Sequence, residues 1–165
     1  MGQQRTNTDQ ITVFKAVVAR LKFMMPDVFN ESTCLISFYP LPPVIPPSDL
    51  FCTVSPGPGQ FNASGEEESN AQAEDTAVKI TVYSRLMTDM SGWETDLLLH
   101  QAQGLFAIKK RILAAFDDHD LLDDDGNPIL RDLMYPIDAG QPDMADNGMG
   151  FFELRFGTNF TWDTA

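Results

Sequence analysis

Near its C-terminal end the chain reads FFELRFGTNFTWD, from Phe151 to Asp163, and its side chains alternate in character. Phe152, Leu154, Phe156, Phe160 and Trp162 fall on one side of an extended backbone, with Glu153, Arg155, Asn159 and Thr161 on the other. A helix would scatter those five apolar groups around its axis, whereas a strand gathers them. A strand with one apolar face has to lie on a core inside a sheet. Gly157 interrupts the run and marks a candidate bulge. A strand of this length is expected to reach a sheet edge or a neighbouring subunit.

Three further stretches read as strands, two of them by the same alternation and one by composition. TAVKITVYSRL (Thr76–Leu86) puts Val78, Ile80 and Val82 on one face and Lys79, Thr81 and Tyr83 on the other. DLFCTVSP (Asp49–Pro56) alternates Leu50, Cys52 and Val54 against Phe51 and Thr53, and TCLISFYP (Thr33–Pro40) is a short β-branched and aromatic run. Two segments switch to helical spacing. In the first, Thr8 to Met25, Ile11, Phe14, Val17, Val18, Leu21 and Met25 form a stripe. Thr6 or Thr8 can cap it, Asp9 suits its first turn, and Pro26 ends it. The second opens on a capping box, Ser91 with Glu94, and carries Leu97, Leu98, Ala102, Leu105, Ile108, Ile112 and Phe116 on one face. Gly104 in its middle is expected to weaken it by roughly 1 kcal/mol. The sum is an α+β chain: a mixed, mostly antiparallel sheet of about four strands with two main helices packed on one face. Residues 1–165 make one domain, a usual size.

Two connections stand out. LPPVIPPSD (Leu41–Asp49) is rich in proline, which favours extended geometry. It reads as a stiff connector or as a ligand for a proline-reading domain. GPGQFNASGEEESNAQAED (Gly57–Asp75) has almost no apolar residues. It is expected to be a long polar loop or arm for partner binding, ordered only in an assembly.

The net charge is −13, from 24 acidic and 11 basic residues. A protein that grips DNA needs a basic face, and only Lys109 and Lys110, beside Arg111, cluster. No apolar run is long enough to cross a membrane, and the polar start MGQQRTNTDQ does not read as a secretion signal. Cytoplasmic synthesis is expected. The two cysteines, Cys34 and Cys52, read as buried strand thiols or as a facultative disulfide.

The stretch AAFDDHDLLDDDGNPILRDLMYP, Ala114 to Pro136, sets seven Asp around His119. In an EF-hand register with Gly126 at position 6, Asp125 and Asp123 fit, but position 1 becomes Leu121 and position 12 Asp132. The pattern therefore fails as a calcium loop, although a looser divalent-cation site stays open. His119 could act as a general base, but no nucleophile motif, HExxH, CxxC or phosphate loop accompanies it or His100. DDDGNP has turn chemistry. The stretch reads as a helix-to-strand connection with a solvated acidic rim, its helix ending anchored by Leu121 and Leu122. No catalytic residue, metal ligand or cofactor site is expected, and the chain is not expected to be an enzyme.

The order VKITVYSR, LLLHQAQGLFAIKKRILAAF, HDLLDDDGNPILRDLMYP, FFELRFGTNFTWD resembles the tail-terminator and neck (head-tail joining) proteins of tailed bacteriophages over roughly Val78–Asp163. The resemblance implies a virion structural protein: a small α+β subunit of a hexameric ring that caps the tail tube at its head-proximal end. It implies contact with the tail tube protein and with a head-tail connector or head-completion protein, and DNA passing through the channel without specific binding. Phe61 and Glu66, Glu67 and Glu68 of the arm are candidate partner contacts, and Arg85 and Arg155 candidate inter-subunit ion-pair residues. Another neck ring, such as a head-completion or adaptor protein, stays open, as does a soluble ligand-binding domain.

Overall fold

The computed structural model describes residues 10–36, 48–61, 71–85, 104–130, 134–144 and 149–163. In chain order the elements are α1 (Gln10–Met24), β1 (Cys34–Ile36), β2 (Leu50–Phe61), β3 (Ala71–Ser84), α2 (Leu105–Phe116), β4 (Tyr135–Ala139), β5 (Asp143–Met144) and β6 (Gly150–Asp163). The strands form one sheet in the order β1-β2-β3-β6-β4, with β5 also paired to β6. Among the described strands only the β1–β2 pair is parallel, and the other pairs are antiparallel. This is the expected α+β class, with β1, β2, β3 and β6 at the four places where strands are predicted. β4 and β5 carry no alternation to betray them.

The inward set of the strands is the predicted one, but on α1 Ile11 faces out and Val13 is buried in its stead. Cys52 and Val54 of β2, Val78, Ile80 and Val82 of β3, and Phe152, Leu154 and Phe156 of β6 are buried against Val13, Val17 and Leu21 of α1 and Leu105, Ile108 and Ile112 of α2. Phe116 of α2 meets Phe156 at 5.4 Å between ring centroids. The opposite face is buried too where it carries Phe51, Tyr83 and Met149. Phe51 and Tyr83 stack at 4.9 Å, and burial, with Glu153 nearby, pushes the Tyr83 phenol up to about 12. On that face the Thr53, Ser55 and Thr81 hydroxyls are buried with no hydrogen-bond partner among the described residues.

Several expectations change. β6 does not reach an edge: it lies between β3 and β4, paired on both sides, because both of its backbone edges find antiparallel partners. Gly157 is no bulge, since it stays in register opposite Ala77 and Tyr135. Its missing side chain makes room for the Tyr135 ring, whose Cζ would lie 2.3 Å from any Cβ there. The irregularities fall instead in β4, between Pro136 and Asp138, and in β2, between Pro56 and Gly59. Prolines cannot donate to a ladder and collect at such places. The polar arm is not loop at its two ends: 57–61 and 71–75 continue β2 and β3 as a paired ladder, out to Phe61 opposite Glu74. Backbone pairing sustains these residues where apolar burial does not.

Gly104 does not sit mid-helix. Its φ of −68° and ψ of 155° are extended, and it is the N-cap from which α2 starts. At a cap glycine costs little. At the other end of α2, Asp118 takes φ 50° and turns the chain back, a conformation that Asp tolerates better than most residues. Leu121 is buried as expected, but Leu122 is 43% exposed and does not anchor the core. It faces out because the Leu122–Pro128 bridge closes a tight hairpin, in which neighbouring residues point to opposite sides. The proline run, the α1 cap residues, the capping box of Ser91 and Glu94, Leu97, Leu98, His100 and Ala102 lie outside the described residues.

Candidate interaction surface

The acidic stretch is built as a turn. The Asp123 carboxylate accepts from the backbone N–H groups of Asp125 and Asn127, both at 2.9 Å, and the Asp123 carbonyl accepts from Gly126 N–H at 3.0 Å. Gly126 has φ 82°, which only glycine adopts without strain. One oxygen of the Asp123 carboxylate is thus engaged by the loop's own backbone. No group of three or more His, Cys, Asp and Glu side chains among the described residues could hold a metal ion; Asp132 lies outside them.

His119 follows the α2 C-terminus. Burial, then the positive charge of Arg20, push its imidazole below its ordinary value, with Asp120 opposing. Arg20 donates from Nε to the Ala115 carbonyl at 2.9 Å. This answers how α2 can end on Asp117 and Asp118: a cation from α1 caps a carbonyl that the helix leaves open. A second tie joins the helices. Arg111 grips Asp27 with two hydrogen bonds, at 2.6 and 3.0 Å, and holds that carboxyl below the usual carboxylate range.

The cysteines sit side by side on β1 and β2, in register, with Sγ atoms 3.3 Å apart; both are free and buried. Burial, then the neighbouring Cys34, push the Cys52 thiol well up, so the thiolate needed for exchange chemistry is suppressed.

Of the predicted partner residues, the structure describes the side chains of Arg85 and Arg155. Arg85 is exposed just past β3, its N–H bonded to the Asp49 carbonyl. Arg155, on β6, forms a two-pronged pair with Asp138 of β4, and this guanidinium holds the Asp138 carboxyl below its usual range. Arg155 therefore fastens an edge strand inside the chain. Phe61 lies at the tip of the described part of β2, and its side chain, like Glu66, Glu67 and Glu68, lies outside the described residues.

Sequence reasoning missed the surface at the other edge of the sheet. β4 is exposed along its whole length. Between it and the C-terminal end of α2 runs a groove of about 770 Å³, lined by Leu113, Ala114, Phe116, Met134, Tyr135, Pro136 and Phe156, with Asp117 and Asp118 at its rim. The available signal was Tyr135-Pro136-Ile137, an apolar stretch with a proline, which suits an edge strand and little else.

No protein-family model matches the sequence, and no curated protein matches it. Among solved structures the chain is similar to the sheath/tube terminator of an extracellular contractile injection system, PVC, in its extended state. The identity is 12% and the TM-score 0.51, over 96% of this chain and 58% of that one. The chain thus spans somewhat more than half the length of that terminator. It also overlaps a chain from the virion of a native gene transfer agent particle, with 14% identity and a TM-score of 0.47, over 91% of this chain and 95% of that one. At such identities the likeness is one of fold.

Proposed function

We propose that the chain is a structural subunit of a phage-like tail: a ring component that caps the tail tube at its head-proximal end, stops its growth and joins it to the head connector. The observation that carries this reading is the fold likeness to a sheath/tube terminator across nearly the whole chain. The sequence resemblance to tail-terminator and neck proteins points the same way.

Two physical features support it. With a net charge of −13, a channel wall made of this chain would repel a passing duplex. The β2–β3 ladder continues past the core into polar sequence, and a projecting ladder of this kind offers backbone and side chains to a neighbour. In this reading the subunit is hexameric, the tail tube protein and a head-completion or connector protein are its partners, Glu66–Glu68 and Phe61 reach one of them, and Arg85 faces a neighbouring subunit. The chain works without catalysis or cofactor, in the virion, after synthesis in the host cytoplasm.

Cryo-electron microscopy of intact particles tests this. Density for the chain in a ring at the head-proximal tip of the tube is expected, and deletion of its gene should give tubes of uncontrolled length. Tubes of normal length joined to heads in its absence would refute the reading.

A further inference from the structure

α1 carries a feature that the core does not use. Its exposed row Ile11, Lys15, Ala19, Phe23 steps along the helix at intervals of four, and Lys22 lies beside its end. Phe23 is 75% exposed and Ile11 60%. An aromatic side chain left so open forgoes the burial of about 150–250 Å² that such groups supply. The helix is also the wrong sign for this protein. It holds Lys15, Arg20 and Lys22 and no acidic residue, in a chain with 24 acids and 11 bases.

The groove between α2 and β4 has the complementary character: an apolar lining, a volume several times that of an aromatic ring, and Asp117 and Asp118 at its rim. Both features border α2, since Arg20 of α1 bonds the Ala115 carbonyl beside the groove-lining Ala114 and Phe116. α1 packs over β1, β2 and α2, and the groove opens between the far end of α2 and β4. Phe23 is not among the residues that line the groove and stays 75% exposed, so α1 does not fill the groove of its own chain.

We infer that the exposed face of α1 docks on a second copy of this chain, with Phe23 entering the groove and Lys22 meeting Asp117 and Asp118. Knob and groove are different surfaces, so each copy offers both. In the ring-subunit reading the contact repeats head-to-tail into a closed ring or an open filament. Phe23 alone is too small for a stable contact, which buries about 1,200 Å² or more in total. Ile11, Lys15 and the exposed residues of β4, Tyr135 and Ile137, complete it. The inference deepens the ring-subunit reading, on which it rests for the expectation that the chain assembles at all.

Native mass spectrometry and sedimentation velocity on the full chain over a range of concentrations provide the test. Wild-type protein is expected to self-associate. Phe23→Ala should weaken association about tenfold or more. Lys22→Glu should weaken it several-fold and regain it when combined with Asp117→Lys and Asp118→Lys. A disulfide should form between Phe23→Cys protein and Ala114→Cys protein when the two are mixed, but not within either alone. Unchanged circular dichroism melting shows that each variant is folded. A wild-type chain that stays monomeric at every concentration, association indifferent to Phe23→Ala, or Phe23→Cys protein cross-linking to itself would each overturn the inference. A ring at the tube tip built through other faces sinks this interface and leaves the proposed function standing. Phe23-dependent rings on a chain absent from tails do the reverse.

Discussion

Replacing Gly57 by alanine tests the β2–β3 ladder where it leaves the core. Pro56 pairs with Val78 and Gly59 with Thr76, so Gly57 and Pro58 together face Ala77. A Cβ on Gly57 would lie 2.6 Å from Ala77 Cβ, 3.1 Å from its carbonyl oxygen and 3.3 Å from its carbonyl carbon. These are short-side-chain and backbone atoms, and β3 cannot retreat because Ala77 is held on its other side opposite Gly157 of β6. At an open site Gly→Ala would stabilise by about 0.4–1 kcal/mol through the unfolded chain. Here overpacking of about 1–3 kcal/mol opposes that gain. The net expectation is a loss of about 1–2 kcal/mol, or a Tm lower by about 2–8 °C for a chain of this size. Ala77→Gly in the same chain removes the Cβ contact but leaves the carbonyl contact, so the double variant should recover about half of the Gly57→Ala loss. Differential scanning calorimetry of wild type, both singles and the double measures this. A Gly57→Ala protein that melts at or above the wild-type temperature would refute the packing argument. Gly157→Ala is the contrast: its Cβ would strike the Tyr135 ring, which is 49% exposed and can swing aside.

Further outcomes follow from the same geometry. Phe116→Ala, which empties a buried site against Phe156, should cost about 3–5 kcal/mol in urea unfolding; a loss under about 1 kcal/mol would mean that α2 does not pack as described. Thr81→Val removes a buried hydroxyl without a hydrogen-bond partner among the described residues and should leave stability unchanged or raise it by about 1 kcal/mol, whereas a clear loss would reveal a bonded water at that site. The Asp27–Arg111 pair joins two partly exposed side chains, so its worth is held to about 0–1 kcal/mol. Because Asp27 has a lowered folded-state pKa, that contribution is present above the ordinary carboxylate range and fades as pH falls through the lowered value. The stability difference between wild type and Arg111→Ala should accordingly shrink on acidification, and a difference that grows toward low pH would contradict the pairing.

Much of this protein is legible in its sequence because a strand has a period of two and a helix of 3.6, and both show in the spacing of apolar residues. The alternations at 49–56, 76–86 and 151–163 determined β2, β3 and β6 and which of their faces meets the helices. Of the stripe read for α1, Phe14, Val17, Leu21 and Met25 are buried, while Ile11 faces out and Val13 takes a core place. What spacing could not determine was adjacency. That β6 lies inside the sheet, that Arg155 fastens β4 through Asp138, and that Gly157 yields room to Tyr135 all depend on which segments the closed fold brings side by side. The groove is the same kind of fact: Leu113 and Tyr135 are ordinary residues until α2 and β4 stand next to each other. Gly104 shows the limit within one element, where an unbroken apolar face concealed a backbone turn. Local sequence sets which side of each element seeks a core; only the packed chain, where burial and backbone pairing compete over the whole molecule, decides what each surface finally meets.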